Sequence, residues 1–328
     1  MGQTDSSRNY HLESLRLYDQ SLEKPCLFPD IGIDESLLKY SGLDSNAVLQ
    51  VFSDEMLKTV PGYVSSLGSA FGALKNVPNA VGLGALAISM FIEIAIKSRT
   101  QTSDHTSGLL RRVFGEEKAS SVRDTMSEYL TRHRRYKNKN NEQRLLEEIR
   151  RLEQQLSNNL TALRNSLLLD GHMSSRGFKI WVNGAAFLVQ MLIHEARLNV
   201  QTGKPPSDLN AIEAAIDLYL QDLDHLLEKY KTYKINSDII WYRPGFAKRR
   251  AYFPAKCVIN NDENENCELW IENTHDCSGP EVDTIFMDIV YSNSEPIKAS
   301  KRYFLNTKNN LNSLIHQHDS FTLPSAAG

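Results

Sequence analysis

The sequence predicts an α+β protein: an elongated helical bundle with two apolar helices, followed by a small antiparallel β domain. Two strongly apolar segments, residues 77–98 and 177–198, flank a charged tract whose leucines recur at helical spacing. Past Ile235 the pattern changes to short β-branched and aromatic runs cut by Asn, Asp, Gly and Pro. The corresponding division is residues 1–33 as a flexible lead, 34–234 as the bundle and 235–328 as the β-rich domain.

The composition bounds what such a chain can be. It has 328 residues, 41% of them hydrophobic, with 37 Lys+Arg against 40 Asp+Glu and a formal charge of -3. That is globular and excludes collagen-like and disordered classes. The balance also argues against wholesale nucleic-acid binding, and net charge leaves local basic patches open. Four cysteines are too few to staple a chain of this length, so the core has to come from apolar burial.

The first eight residues are polar throughout and lack the apolar core of a secretory signal, so the expected compartment is the cytosol, where the cysteines stay thiols. The same opening fits Met-Gly-x-x-x-Ser, which makes Gly2 a myristoylation candidate with Ser6 at the hydroxyl position. One such chain holds a membrane only marginally and needs a second signal. The run from Arg132 to Lys139, with Arg132, Arg134, Arg135, Lys137 and Lys139 and no acid, fits either that second signal toward anionic lipid or a solvated helix end.

Taken in order, the lead holds Pro25 and Pro29 and has room for one short helix between Leu12 and Leu22. Leucines and valines from Leu37 to Leu57 recur at mixed three- and four-residue steps, which predicts helix up to Pro61. The segment 77–98 makes about 33 Å of helix, close to the hydrocarbon thickness of a bilayer. Its Asn79, Ser89, Glu93 and Lys97 fall within an arc of roughly 80°, and Glu93 and Lys97 are spaced to pair. After a polar loop, a helical tract runs from about Leu109 to Leu169; Leu145, Ile149, Leu152, Leu156, Leu160, Leu163 and Leu167 average about 3.7 residues per step, nearer a straight helix than a tight coiled coil.

The run from Asp170 to Ser175 breaks that helix, and the second apolar segment follows. Lys179, Asn183, Gln190, His194 and Arg197 again share one narrow arc, roughly 60° wide. Such stripes suit helices buried in a bundle, or helices that meet lipid on their other faces. Ser207 is placed to cap the next helix, in which Leu209, Ile212, Ile216, Tyr219, Leu223, Leu226 and Tyr230 alternate steps of three and four. The runs at Ile239–Tyr242, Cys257–Ile259, Leu269–Ile271 and 285–291 read as strands.

No constellation supports catalysis or a cofactor. Gly82-Leu83-Gly84-Ala85-Leu86-Ala87 matches a dinucleotide fingerprint but lacks the preceding strand, so its small residues fit helix packing. Cys257, Cys267 and Cys277 recur every ten residues, wide of zinc-ligand spacing. Cys257 and Cys267 bracket an acidic loop and could face each other across a hairpin; the loop's Asp262, Glu263 and Glu265 lack the order of a calcium motif. Asn159-Leu160-Thr161 is a glycosylation sequon inside a helix, a poor acceptor in a cytosolic chain.

The order of small-residue-rich apolar segment, charged helix and second apolar segment, over residues 60–235, resembles the layout of α-helical pore-forming proteins of the cytolysin A type. It is also similar to that of fish rapunzel-like proteins; the β-like tail departs from both. The cytolysin resemblance implies a soluble bundle that exposes an apolar hairpin on meeting lipid. The leading expectation is therefore a non-enzymatic protein that associates with anionic membrane lipid, permeabilising it through the two striped helices, with a homo-oligomer as one form. The rival is a cytosolic interaction scaffold whose apolar helices are permanent core and whose β domain binds a protein partner.

Overall fold

The computed structural model describes residues 3–33, 38, 142–201, 209–237, 239–248, 251–261, 263, 267–272 and 275–316. Within them the helices are α1 (Gln3–Ser21), α2 (Glu142–Leu168), α3 (Ser175–Gln201), α4 (Leu209–Ile235), α5 (Pro280–Asn293), α6 (Glu295–Asn309) and α7 (Leu311–His316), with a 3-10 turn at Pro25–Leu27. The strands are β1 (Ile240–Arg243), β2 (Phe246–Lys248), β3 (Ala251–Phe253), β4 (Lys256–Asn260) and β5 (Glu268–Glu272). The α+β class holds, as helices with small antiparallel sheets toward the C-terminal part.

The second apolar segment becomes α3, the centre of the bundle. Every residue from Ile180 to Met191 is buried, as expected of a helix that is apolar nearly all round. It packs on α2, α4 and α7. Trp181 meets Tyr219 of α4 edge to face at 6.0 Å, and Phe178 meets Tyr230 at 5.9 Å. The α4 periodicity is borne out: Ile212, Ile216, Tyr219, Leu223, Leu226 and Tyr230 all point into this core. From α2, Leu156, Leu160 and Leu167 do the same, and Arg164 Nε pairs with Asp222 of α4 at 2.5 Å. The helix ends near Gly171, whose φ of 77° is the left-handed conformation that glycine takes without steric cost. No described helix is long and apolar enough to cross a membrane; α3 has the length, but Lys179, Asn183, Gln190, Glu195 and Arg197 lower its apolarity.

Three expectations are corrected here. The lead is not a loose segment. Residues of α1 lie along α5, with Leu17 fully buried and Ser14 Oγ donating to the Val282 carbonyl at 3.1 Å. Ile31 and Ile33 then enter the bundle core, and the Ile33 amide donates to Ser300 Oγ of α6 at 3.1 Å. Nor is the C-terminal third a separate β domain. The 285–291 run lies in α5, where Pro280 at the start and Glu281 and Asp283 in the first turn supply a helix entry. Tyr303 and Phe304 of α6 and Leu311, Leu314 and Ile315 of α7 return to the bundle core. The sheet β1-β4-β5 packs its inner residues Ile240, Ile259, Cys257 and Ile271 with Leu17 and with Val282, Phe286, Met287 and Val290 of α5.

The third correction concerns the cysteines. Cys26 bridges Cys267, and Cys257 bridges Cys277, leaving no free thiol. The hairpin pairing of Cys257 with Cys267 fails on register: Cys257 lies opposite Ile271, whereas Cys267 stands one residue before β5 begins. Disulfides form and persist in oxidising compartments, so the bridges weigh against the reduced thiols expected of a cytosolic chain.

The bridges close loops of very different size, 241 and 20 residues of separation. Chain entropy assigns about 5 kcal/mol to the first and about 3 kcal/mol to the second. Denaturant unfolding of Cys26→Ser/Cys267→Ser should therefore lose more stability than that of Cys257→Ser/Cys277→Ser; the reverse order would show that the N-terminal segment is not held in this position.

Burial pushes the phenols of Tyr219, Tyr230, Tyr291 and Tyr303 above the ordinary tyrosine range. The unfolded chain ionises them near pH 10 while the folded chain keeps them neutral. Their contribution is complete below about pH 10 and is lost as pH rises through the raised folded values. Alkaline titration followed by tyrosinate absorbance should show these four ionising only together with loss of helix.

Candidate interaction surface

The β strands form a surface whose composition differs from that of the bundle. Strand alternation sends Tyr242, Cys257 and Ile271 inward and leaves Trp241, Val258 and Trp270 in one cross-strand row on the outer face. The two indoles meet edge to face at 5.6 Å, and the Val258 side chain in the row between them has no exposure at all. In the next row on this face stand Arg243, Lys256 and Glu272.

A second, two-stranded sheet, β2 with β3, continues from this edge. Its register pairs Phe246 with Phe253, and their rings stack at 4.8 Å and 18°. Every described residue of both strands is exposed, and Tyr252 is 74% exposed. Arg243 joins the two sheets: its guanidinium lies 5.7 Å from the ring centres of both Phe246 and Trp270. The corner between β1 and β2 favours Gly245, because a Cβ there would stand 3.0 Å from the Ala255 nitrogen and from the Phe253 carbonyl oxygen, a tight fit against backbone. The result is an exposed aromatic and cationic face on short strands, held from behind by α5 and both disulfides.

A polar cluster fixes this unit to the bundle. Glu263, in the β4–β5 loop, accepts the Ser175 amide at 2.7 Å at the start of α3 and also bonds Ser175 Oγ. Tyr230 OH reaches the same Ser175 Oγ and Glu263 Oε2. Lys234 Nζ, on a side chain nearly excluded from solvent, sits 3.3 Å from Glu263 and 3.1 Å from Asn261 Oδ1, over the Tyr230 and Tyr233 rings. A Ser, Tyr and Lys together invite a proton-transfer reading, but burial and the Glu263 charge push the Tyr230 phenol up, the wrong direction for a base near neutrality. The cluster's chemistry is that of a latch. Glu263 is thereby accounted for as a helix cap, and no group of His, Cys, Asp and Glu fit to hold a metal occurs among the described residues.

Of the residues singled out in the sequence, Asn183 and Gln190 have their partners inside the protein. Asn183, fully buried, donates from Nδ2 to the Gly32 carbonyl at 3.1 Å and to the Lys179 carbonyl at 2.8 Å. Gln190 Nε2 donates to Tyr303 OH at 2.8 Å, and that hydroxyl donates on to the Ala186 carbonyl at 3.1 Å. Lys179 pairs with Asp30. His194 and Arg197 lie in α3 with side chains outside the described residues. Gly2, Asn79, Glu93, Lys97 and the basic run Arg132, Arg134, Arg135, Lys137 and Lys139 also lie outside them, as does Ser207. The face built around Arg243 was missed in the sequence, although Phe-Ala-Lys-Arg-Arg-Ala-Tyr-Phe over residues 246–253 is a near-symmetric aromatic and cationic string.

The stripe's bonds set the sign of a substitution. Asn183→Leu strips the buried Gly32 carbonyl of a donor and should cost about 1–3 kcal/mol. Gln190→Leu leaves Tyr303 OH its bond to Ala186 and should cost less, about 1 kcal/mol. Urea midpoints check both, and a gain in stability from either would mark the stripe as a set of buried defects.

Compared with protein families, curated proteins and solved structures, the chain matches none, so its likeness to cytolysin A-type and rapunzel-like proteins rests on the layout of its sequence.

Proposed function

We propose that this chain is a non-enzymatic interaction protein in which the helical bundle is a permanent scaffold and the aromatic and cationic face of the β unit is the contact surface. The observation that carries this reading is the contrast between the two parts. Polar atoms of α3 are answered by Gly32, in the N-terminal strap that follows α1, and by Tyr303 of α6, while Phe246, Phe253 and Trp270 stand exposed around Arg243. Moving α3 into lipid would break those bonds, and an amide taken into hydrocarbon without a partner costs roughly 4 kcal/mol or more. Each exposed ring is an amphipathic or apolar surface of the kind that dominates contact energies. The two bridges support an oxidising setting for the folded form.

Amide hydrogen exchange by mass spectrometry tests the scaffold half of this reading. Peptides covering Ile180 to Met191 should exchange only through global unfolding, equally with and without lipid vesicles. If those amides open when vesicles are added, the core is conditional and helix insertion is the better account.

A further inference from the structure

We infer that the partner of this face is the surface of an anionic phospholipid membrane, with Phe246, Phe253 and Trp270 entering the headgroup layer and Arg243, Lys248 and Lys256 meeting lipid phosphates. The inference rests on the reading of the β unit as the contact surface and names its ligand.

The argument is one of composition and geometry. Aromatic rings with one apolar and one polar end are favoured at the boundary between headgroups and acyl chains. Trp270 on β5 is such a ring, and Phe246 and Phe253 add apolar surface near it on a two-stranded hairpin exposed along both strands, so the rings can reach that boundary while the bundle stays behind. Charge selects the lipid. The chain as a whole is slightly acidic, yet residues 243–261 hold five Lys or Arg and no Asp or Glu. The same sheet face also carries Glu268, which accepts from Trp270 Nε1 at 3.1 Å, and Glu272, in register with Lys256, whereas Arg243 and Lys248 stand in register with no acid. Arg243 lies beside two rings, an arrangement that holds its guanidinium at the level of those rings. A nucleic acid would be expected to meet a broader basic track along its backbone than this compact cluster offers.

The test uses the full disulfide-bonded chain and co-sedimentation with phosphatidylcholine vesicles, with and without phosphatidylglycerol. Binding should require phosphatidylglycerol and fall at high salt. Lys248→Ala should weaken it about fivefold, the effect of one cation near an anionic surface. Phe253→Ala should weaken it as well, whereas Leu218→Ala, an exposed apolar site on α4, should leave it unchanged. Brominated acyl chains should quench Trp270 and not the core Trp181, as read in Trp181→Phe/Trp241→Phe and Trp241→Phe/Trp270→Phe variants, each of which keeps one tryptophan.

Equal binding to neutral vesicles, or binding indifferent to Lys248 and Phe253, overturns the inference. So does failure to bind vesicles while heparin binds and the same two variants lose it; that outcome assigns a sulfated polysaccharide and leaves the contact surface standing. Vesicle binding accompanied by opened α3 amides instead overturns the scaffold reading on which the inference rests.

Discussion

The structure depends on one helix having no solvent face. Once Ile180 to Met191 of α3 are enclosed on all sides, any polar atom among them must find its partner inside the protein, because an unanswered one costs about 1–3 kcal/mol. Asn183 and Gln190 meet that demand through groups 151 and 113 residues away in sequence. The N-terminal strap and α6 are therefore parts of the bundle rather than appendages to it. Burying Ile31 and Ile33 beside Tyr303 makes the same statement in apolar terms.

A second core lies under the sheet, and three kinds of connection tie it to the first. Tyr291 of α5 packs against both cores. Glu263 caps α3 from the β4–β5 loop and is met there by Tyr230 and Lys234 of α4. The Cys26–Cys267 bridge links the strap that fills the bundle to the strand that carries Trp270. Fixing β5 at its start and β4 through Cys257–Cys277 limits how far the outer row of the sheet can yield. Short strands with few residues would otherwise be marginal on their own.

What could be read beforehand follows from the range of the signals. The 3.5-residue alternation of α4 and the leucine ladder of α2 are local patterns, and local patterns survive into the fold. The stripe on α3 was equally visible, but its partners were not, since nothing near Asn183 in sequence points to Gly32. A short apolar run such as 285–291 does not tell strand from helix by itself; the Pro280 entry with its acidic first turn was the arbiter. The N-terminal segment reads as a loose lead because α1 is polar overall and buries only a narrow line through Ser14, Leu17 and Ser21. The β2–β3 hairpin escaped notice because its connection is Arg249-Arg250, without the Gly or Asn that usually announces a tight turn.

These constraints bear on how a chain with striped, lipid-length segments would meet a partner. An apolar helix whose polar stripe is free has two acceptable environments, and a trigger can shift it between them. Bonding Asn183 to the strap and Gln190 to α6 opposes such a shift of α3, because leaving the bundle would strand groups on three elements at once. On the scaffold reading proposed above, association falls to the surface that the β unit displays. On the β unit that surface carries large rings with their faces or edges uncovered and cations held among them, and none of those side chains has to leave the protein interior to make contact. Binding by this route costs no opening of the bundle, so its strength is set by the face alone.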